Sequence, residues 1–171
     1  MESKFSLTPL ALDVFEAIKQ AGGHVYLVGG CVRDFLLKRR SKDIDVEVHH
    51  LSFAALKEVL SPFGTVQVMG AAFAVVHLST HEGYEFALPS IEEKTGLKHQ
   101  DFNVIVDPDL PLEKACARRD FTINSMLYDI ETGTVIDFYS GQKDLKNGIL
   151  RATNGDHFSE DPLRVLRGAS F

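Results

Sequence analysis

Residues 24–48 impose the tightest constraint on the fold. An apolar run, His24–Val28, enters the glycine pair Gly29-Gly30 and passes directly into a short helical pattern over residues 31–37. A second strand follows at 43–48, where alternation sends Asp43, Asp45 and Glu47 to one face and Ile44, Val46 and Val48 to the other. Residues two apart on a strand stand roughly 6–7 Å apart along the chain. Carboxylates at that spacing suit a pair of Mg²⁺ ions about 3.5–4 Å apart. Adjacent glycines offer backbone N–H groups to the phosphates that such metals also hold. The unit therefore points to phosphoryl or nucleotidyl transfer.

The rest of the chain reads as alternating helices and short strands. Thr8-Pro9 starts a helix with a hydroxyl cap and a first-turn proline, Leu10, Val14, Ala17 and Ala21 mark its apolar face, and Gly22-Gly23 ends it. Ser52 caps a second helix that Pro62-Phe63-Gly64 breaks. Strands are expected at 65–69, 73–79 and 84–88, with a hairpin turn at His81-Glu82-Gly83, and then a mobile polar loop over 89–101. A helix at 111–118 precedes a strand pair at 121–129 and 134–138, and a further helix begins at Ser159. This mixture predicts an α/β or α+β sheet with helices on one face.

Composition narrows the function classes. A hydrophobic fraction of 44% with 25% charged residues fits a globular chain that buries a core. No apolar run reaches membrane-span length and the N-terminus does not read as a signal peptide, so a cytoplasmic protein without membrane contact is expected. The cysteines, Cys31 and Cys116, read as buried free thiols. A net charge of −6 argues against gripping nucleic acid by bulk electrostatics. The local exception is Lys38-Arg39-Arg40 with Lys42, which is either a solvated loop or a basic neighbour of the polyphosphate site. His49-His50 reads as a loop pair, and no Cys/His cluster has zinc spacing.

Taken together, these motifs resemble a known family. Leu27–Asp34 with Asp43-Ile44-Asp45 looks like the head signature of the class II CCA-adding tRNA nucleotidyltransferases and bacterial poly(A) polymerases, within the polymerase β superfamily. Arg118–Met126 resembles that family's second motif, Asp144–Arg151 its hinge, and Glu160–Arg167 its nucleotide-selecting helix. The resemblance implies a polymerase β-like head with a mixed, mostly antiparallel sheet over residues 1–150. Residues 151–171 would be the start of a helical neck, and the chain would be part of something longer. The implied activity is template-independent addition of C and A, from CTP and ATP, to the 3′ end of tRNA or another RNA.

The resemblance also implies residue roles. Asp43 and Asp45 would hold two Mg²⁺ ions, with Glu85 as candidate third carboxylate or plain surface glutamate. Gly29, Gly30 and Arg33 would meet the triphosphate. Arg118 and Asp120 would help hold the sugar, although Asp120 also suits a cap, and Asn124 would contact nucleotide or close a hairpin. Asp161 and Arg164 share a helix face, where they form either an intrahelical ion pair or a reader of the amino group and ring nitrogen of C and A. Arg167 is structural or near the base. Ser90 stands where the family often has arginine, and Ser125 where alanine is common. Poly(A) polymerase and CC- or A-adding enzymes share these motifs. A head that only binds nucleotide or RNA is the rival of another class. A small-molecule nucleotidyltransferase would lack the second and fourth motifs. Oligomeric state is not legible.

Overall fold

Three helices and the first five strands build one layered unit around the glycine turn. The computed structural model describes residues 5–70, 74–80, 83–94 and 102–155. In chain order they form α1 (Pro9–Gln20), β1 (His24–Val28), α2 (Gly30–Leu36), β2 (Ile44–His49) and α3 (Phe53–Leu60). Next come β3 (Val66–Gly70), β4 (Val75–Leu78), β5 (Tyr84–Ala87), β6 (Ser90–Lys94) and β7 (Phe102–Val106). The last described elements are α4 (Leu112–Ala117), β8 (Leu127–Asp129), β9 (Thr134–Ile136) and α5 (Gly141–Asn147).

Seven strands make one sheet in the order β3-β4-β5-β2-β1-β8-β9. Within it β2 and β5 run parallel, and every other neighbouring pair is antiparallel. This is the mixed, mostly antiparallel sheet that the family resemblance implies. Strands β6 and β7 form a separate antiparallel ribbon. Among the described residues, no helix is long and apolar enough to cross a membrane.

The period-two alternation of β1 decides what lies on each face. Val25 and Leu27 enter the main core with Val46 and Val48 of β2 and with Val14, Ile18, Val32, Leu56 and Leu60 of α1, α2 and α3. Tyr26 and Val28 point the other way and pack with Leu127 and with Cys116 of α4. Helix α4 therefore lies against the face that carries Asp45 and Glu47, since Val28 pairs with Asp45 and Tyr26 with Glu47. Both cysteines are buried free thiols, as expected.

Local chemistry sets the helix starts. The Ala11 N–H donates to Thr8 Oγ1 at 3.2 Å, and the Ala55 N–H donates to Ser52 Oγ at 3.1 Å. The buried stripe of α1 is Ala11, Val14, Phe15 and Ile18, rotated from the expected one, and Leu10 is 41% exposed. The aromatic bulk of Phe15 settles that choice by filling the space against Tyr84 and Phe86.

Three more expectations need correction. Ser90–Lys94 is a strand rather than loop, because Phe102–Val106 supplies its antiparallel partner. Residues 122–124 form a 3₁₀ turn, and the strand begins only at Leu127. His49 ends β2 and is buried, so only His50 lies beyond the strand. Residues 151–153 pair back onto Asp120–Thr122 through Thr122 N–H to Arg151 O and Thr153 N–H to Asp120 O, both 2.9 Å. The rest of the expected neck, with Asp161, Arg164 and Arg167, lies outside the described residues, as do His81 and Glu82 of the expected turn.

Candidate active site

The site is built where β1 ends, β2 begins and α4 delivers its last residues. Asp43 is exposed and precedes β2, while Asp45 is half-buried on it. Across the parallel pair, Asp45 is the register partner of Glu85 on β5. Burial pushes the Asp45 carboxyl above its ordinary range; Arg119 opposes that shift, and the charges of Glu85 and Asp43 add to it. Glu85 is exposed and accepts a hydrogen bond from His77 Nε2 at 3.0 Å.

Gly29 turns the chain directly above Asp45. Its φ of 73° and ψ of −139° lie outside the regions open to a residue with a β-carbon. A β-carbon there would stand 3.1 Å from Asp45 Oδ2 and 3.3 Å from Arg119 Nη1. One at Gly30 would stand 3.4 Å from Arg33 Nη2. Bare backbone, a carboxylate and two guanidiniums thus converge at the start of α2.

A second group joins the start of α2 to the segment after α4. Arg33 donates to Asp34 Oδ1 at 2.9 Å and 3.0 Å, and to Asn124 Oδ1 at 2.9 Å. Asn124 Nδ2 donates to Asp120 Oδ1 at 3.2 Å, and that oxygen also accepts the Phe121 N–H at 2.7 Å. Asp120 does not cap the 3₁₀ turn, whose N-cap position is Phe121; its carboxylate instead ties the Phe121 N–H to Asn124. The 3₁₀ turn separates neighbours that a strand would align: Asn124 reaches Arg33, while Thr122 is buried and donates to Asp144 Oδ2 at 2.6 Å.

Glu47 departs most from expectation. It shares the face of Asp45 but is 1% exposed, because Arg118 and Arg119 cover it. Each donates from Nη2 to Glu47 Oε2 at 3.2 Å, and His49 Nε2 donates to Oε1 at 3.0 Å. Burial alone would raise the Glu47 carboxyl, but the His49 hydrogen bond and the Arg119 and Arg118 charges hold it down at about 2. Its period-two spacing from Asp45 was the available signal for its place here, and the doubled arginine was the signal for Arg119.

These groups line a cleft of about 240 Å³ that includes Asp45, Glu47, Glu85, Ser90, Arg118 and Arg119. Ser90 is buried in it, so the guanidiniums of this cleft are those of the arginine pair. The basic run Lys38–Lys42 is largely exposed and lines a different cleft, of about 980 Å³, with Phe5, Phe35 and Tyr84.

The carboxylates fit divalent metal in one particular way. Among the described residues, no three His, Cys, Asp or Glu side chains already converge as a metal cage. Mg²⁺ does not need one: it keeps several waters and binds through one or two carboxylates plus substrate phosphates. Asp45 beside the glycine turn, with Asp43 two residues before it, would supply such a donor set.

Comparison with known proteins shows the family and the fold. The profile of the family described as "Poly A polymerase head domain" matches residues 25–151. The multifunctional CCA protein of Stenotrophomonas maltophilia is 44% identical over 147 residues, covering 86% of this chain and 34% of that protein. The chain thus spans about a third of the length of the curated relatives it matches. Among solved structures, the Bacillus stearothermophilus CCA-adding enzyme in complex with CTP superposes with a TM-score of 0.70 at 28% identity, over 94% of this chain and 38% of that one. The Thermotoga maritima CCA-adding enzyme complexed with tRNA gives 0.70 at 29%, over 95% and 37%.

Proposed function

Because this chain belongs to the poly(A) polymerase head-domain family, we propose that it is the catalytic head of a nucleotidyltransferase that adds C and A from CTP and ATP to the 3′ end of tRNA. The observation that carries the proposal is the close approach of the Gly29 backbone to Asp45, where an added β-carbon would stand 3.1 Å from Oδ2, and Asp45 is the register partner of Glu85. A turn able to receive phosphates is thereby set against carboxylates able to receive metal. The named CCA-adding relatives supply the substrate class.

In this reading Asp43 and Asp45 hold two Mg²⁺ ions, and Glu85 is the third carboxylate. Bound Mg²⁺ supplies acidification of the primer hydroxyl and neutralisation of charge on the triphosphate. The protein's own part is positioning. Gly29 and Gly30 receive the triphosphate by backbone, and Arg33 orients it while tied to Asn124. Arg118, Asp120 and Asn124 meet the sugar, and a ribose hydroxyl would exchange with the Asn124–Asp120 hydrogen bond. Asp161 and Arg164 select the base, rejecting guanine and uracil because a carbonyl would face the carboxylate; Arg167 supports them.

The family description also favours a second reading, poly(A) addition at the same centre. One experiment separates the two and the partial CC- and A-adding activities. The full-length protein is offered tRNAs lacking one, two or three 3′ nucleotides, with CTP, ATP or both. Completion of CCA and then arrest is expected. Unlimited A addition from ATP alone would replace CCA addition with polyadenylation, and no incorporation would leave a nucleotide-binding head.

A further inference from the structure

Asp45 and Glu47 leave the same face of β2, yet only Asp45 keeps an open side. Both oxygens of Glu47 are in use, Oε1 by His49 and Oε2 by Arg118 and Arg119. The arginines follow directly on α4, so this buried carboxylate also fixes where the α4 segment meets β2. We propose that Glu47 is a positioning residue for nucleotidyl transfer: it takes the hydrogen bonds of Arg118 and Arg119 and so holds both guanidiniums beside the glycine turn. The proposal rests on the reading of this cleft as the nucleotide site.

Arg119 carries most of the argument. Its Nη1 reaches the space beside Gly29 while its Nη2 is held by Glu47. Its Nε is buried and has no hydrogen-bond partner among the described residues. A guanidinium anchored by one nitrogen, with others toward a phosphate-binding turn, is ready for an anion.

Without Glu47, the carboxylates left in the same cleft are Asp45 and Glu85. Attraction between opposite charges strengthens as water is excluded, so the arginines would collapse onto those groups. That contact would compete with Mg²⁺ and withdraw the guanidiniums from the phosphates. A deeper carboxylate with no role in metal binding takes the hydrogen bonds of Arg119, which then acts on Asp45 by charge alone. Sequence alternation alone does not reveal this division, because it gives Asp45 and Glu47 equivalent places.

The test is a double-mutant cycle on CTP binding in the full chain, followed by calorimetry with Mg²⁺ and without RNA, so that no turnover intervenes. Glu47→Gln keeps one acceptor but loses the charge. It should weaken CTP binding about tenfold, and Glu47→Asp should recover to within about threefold of wild type. In an Arg119→Ala background, Glu47→Gln should add less than about twofold, because its effect travels through the missing guanidinium. Circular dichroism checks folding; if Glu47→Gln does not fold, Arg119→Ala alone is read, which should weaken CTP binding about tenfold, and wild-type affinity there overturns the proposal. Wild-type affinity in Glu47→Gln, or losses that multiply with Arg119→Ala, would overturn the proposal while leaving the nucleotide site intact. A wild-type chain that binds no CTP would overturn both.

Discussion

Asp45 on β2 and Glu85 on β5 are register partners across the parallel pair of the sheet. Parallel pairing is what brings them together, since the two strands are far apart in sequence. If both serve one metal centre, Glu85→Gln should lower incorporation by about tenfold to a hundredfold and raise the Mg²⁺ concentration needed for half-maximal rate. The check is a Mg²⁺ titration of single-turnover extension. A glutamate engaged only with His77 would leave both quantities unchanged.

Gly29→Ala should be costly twice over. The backbone conformation strains any residue with a β-carbon by about 1–3 kcal/mol, and the new methyl would press on Asp45 and Arg119. Urea unfolding should report the strain, and CTP binding should fall beyond what the lost stability explains. Normal binding by a destabilised variant would reduce Gly29 to a turn former.

Acid stability should depend on Asp144. Burial would raise its carboxyl, but the Thr122 hydroxyl and the Arg151 guanidinium outweigh burial and hold it below the ordinary range. The folded value therefore lies below the unfolded one. Its contribution is complete above the unfolded value, near pH 4, and is lost as pH falls through the folded value. Asp144→Asn should lower stability at neutral pH and flatten the acid limb. Denaturant melts from about pH 3 to pH 7 measure both.

Base choice should lie elsewhere, in the segment assigned from sequence alone. Asp161→Ala should relax discrimination against GTP and UTP by at least about tenfold, the scale of losing one buried polar match. Competition between CTP and UTP on a tRNA lacking its last three nucleotides measures it. Unchanged rejection of UTP would return Asp161 and Arg164 to an ordinary helical ion pair.

Much of this was legible in the chain because short-range chemistry carries it. Thr8, Pro9 and Ser52 mark helix starts by capping, and Gly29-Gly30 followed by Asp43-Ile44-Asp45 declares a turn beside a strand. What alternation cannot state is whether a face is covered. Glu47 has the same period as Asp45, and its burial depends on Arg118 and Arg119 arriving from α4. The partner of Ser90–Lys94 was likewise missed because strand pairing is non-local. Asn124 was read on a strand, whereas the 3₁₀ turn swings it to Arg33. The motifs named the components, and the tertiary fold decided which became neighbours.

Asp45 holds the central place in the proposed chemistry, as a group that would act through metal rather than through folding. The most direct measurement is Mg²⁺-dependent incorporation of CTP into a tRNA lacking its 3′ CCA, comparing wild type with Asp45→Ala alongside thermal melts. The predicted result is loss of at least about a thousandfold in rate, with stability within about 1 kcal/mol of wild type. Incorporation that persists at near wild-type rate in a folded Asp45→Ala protein would contradict it.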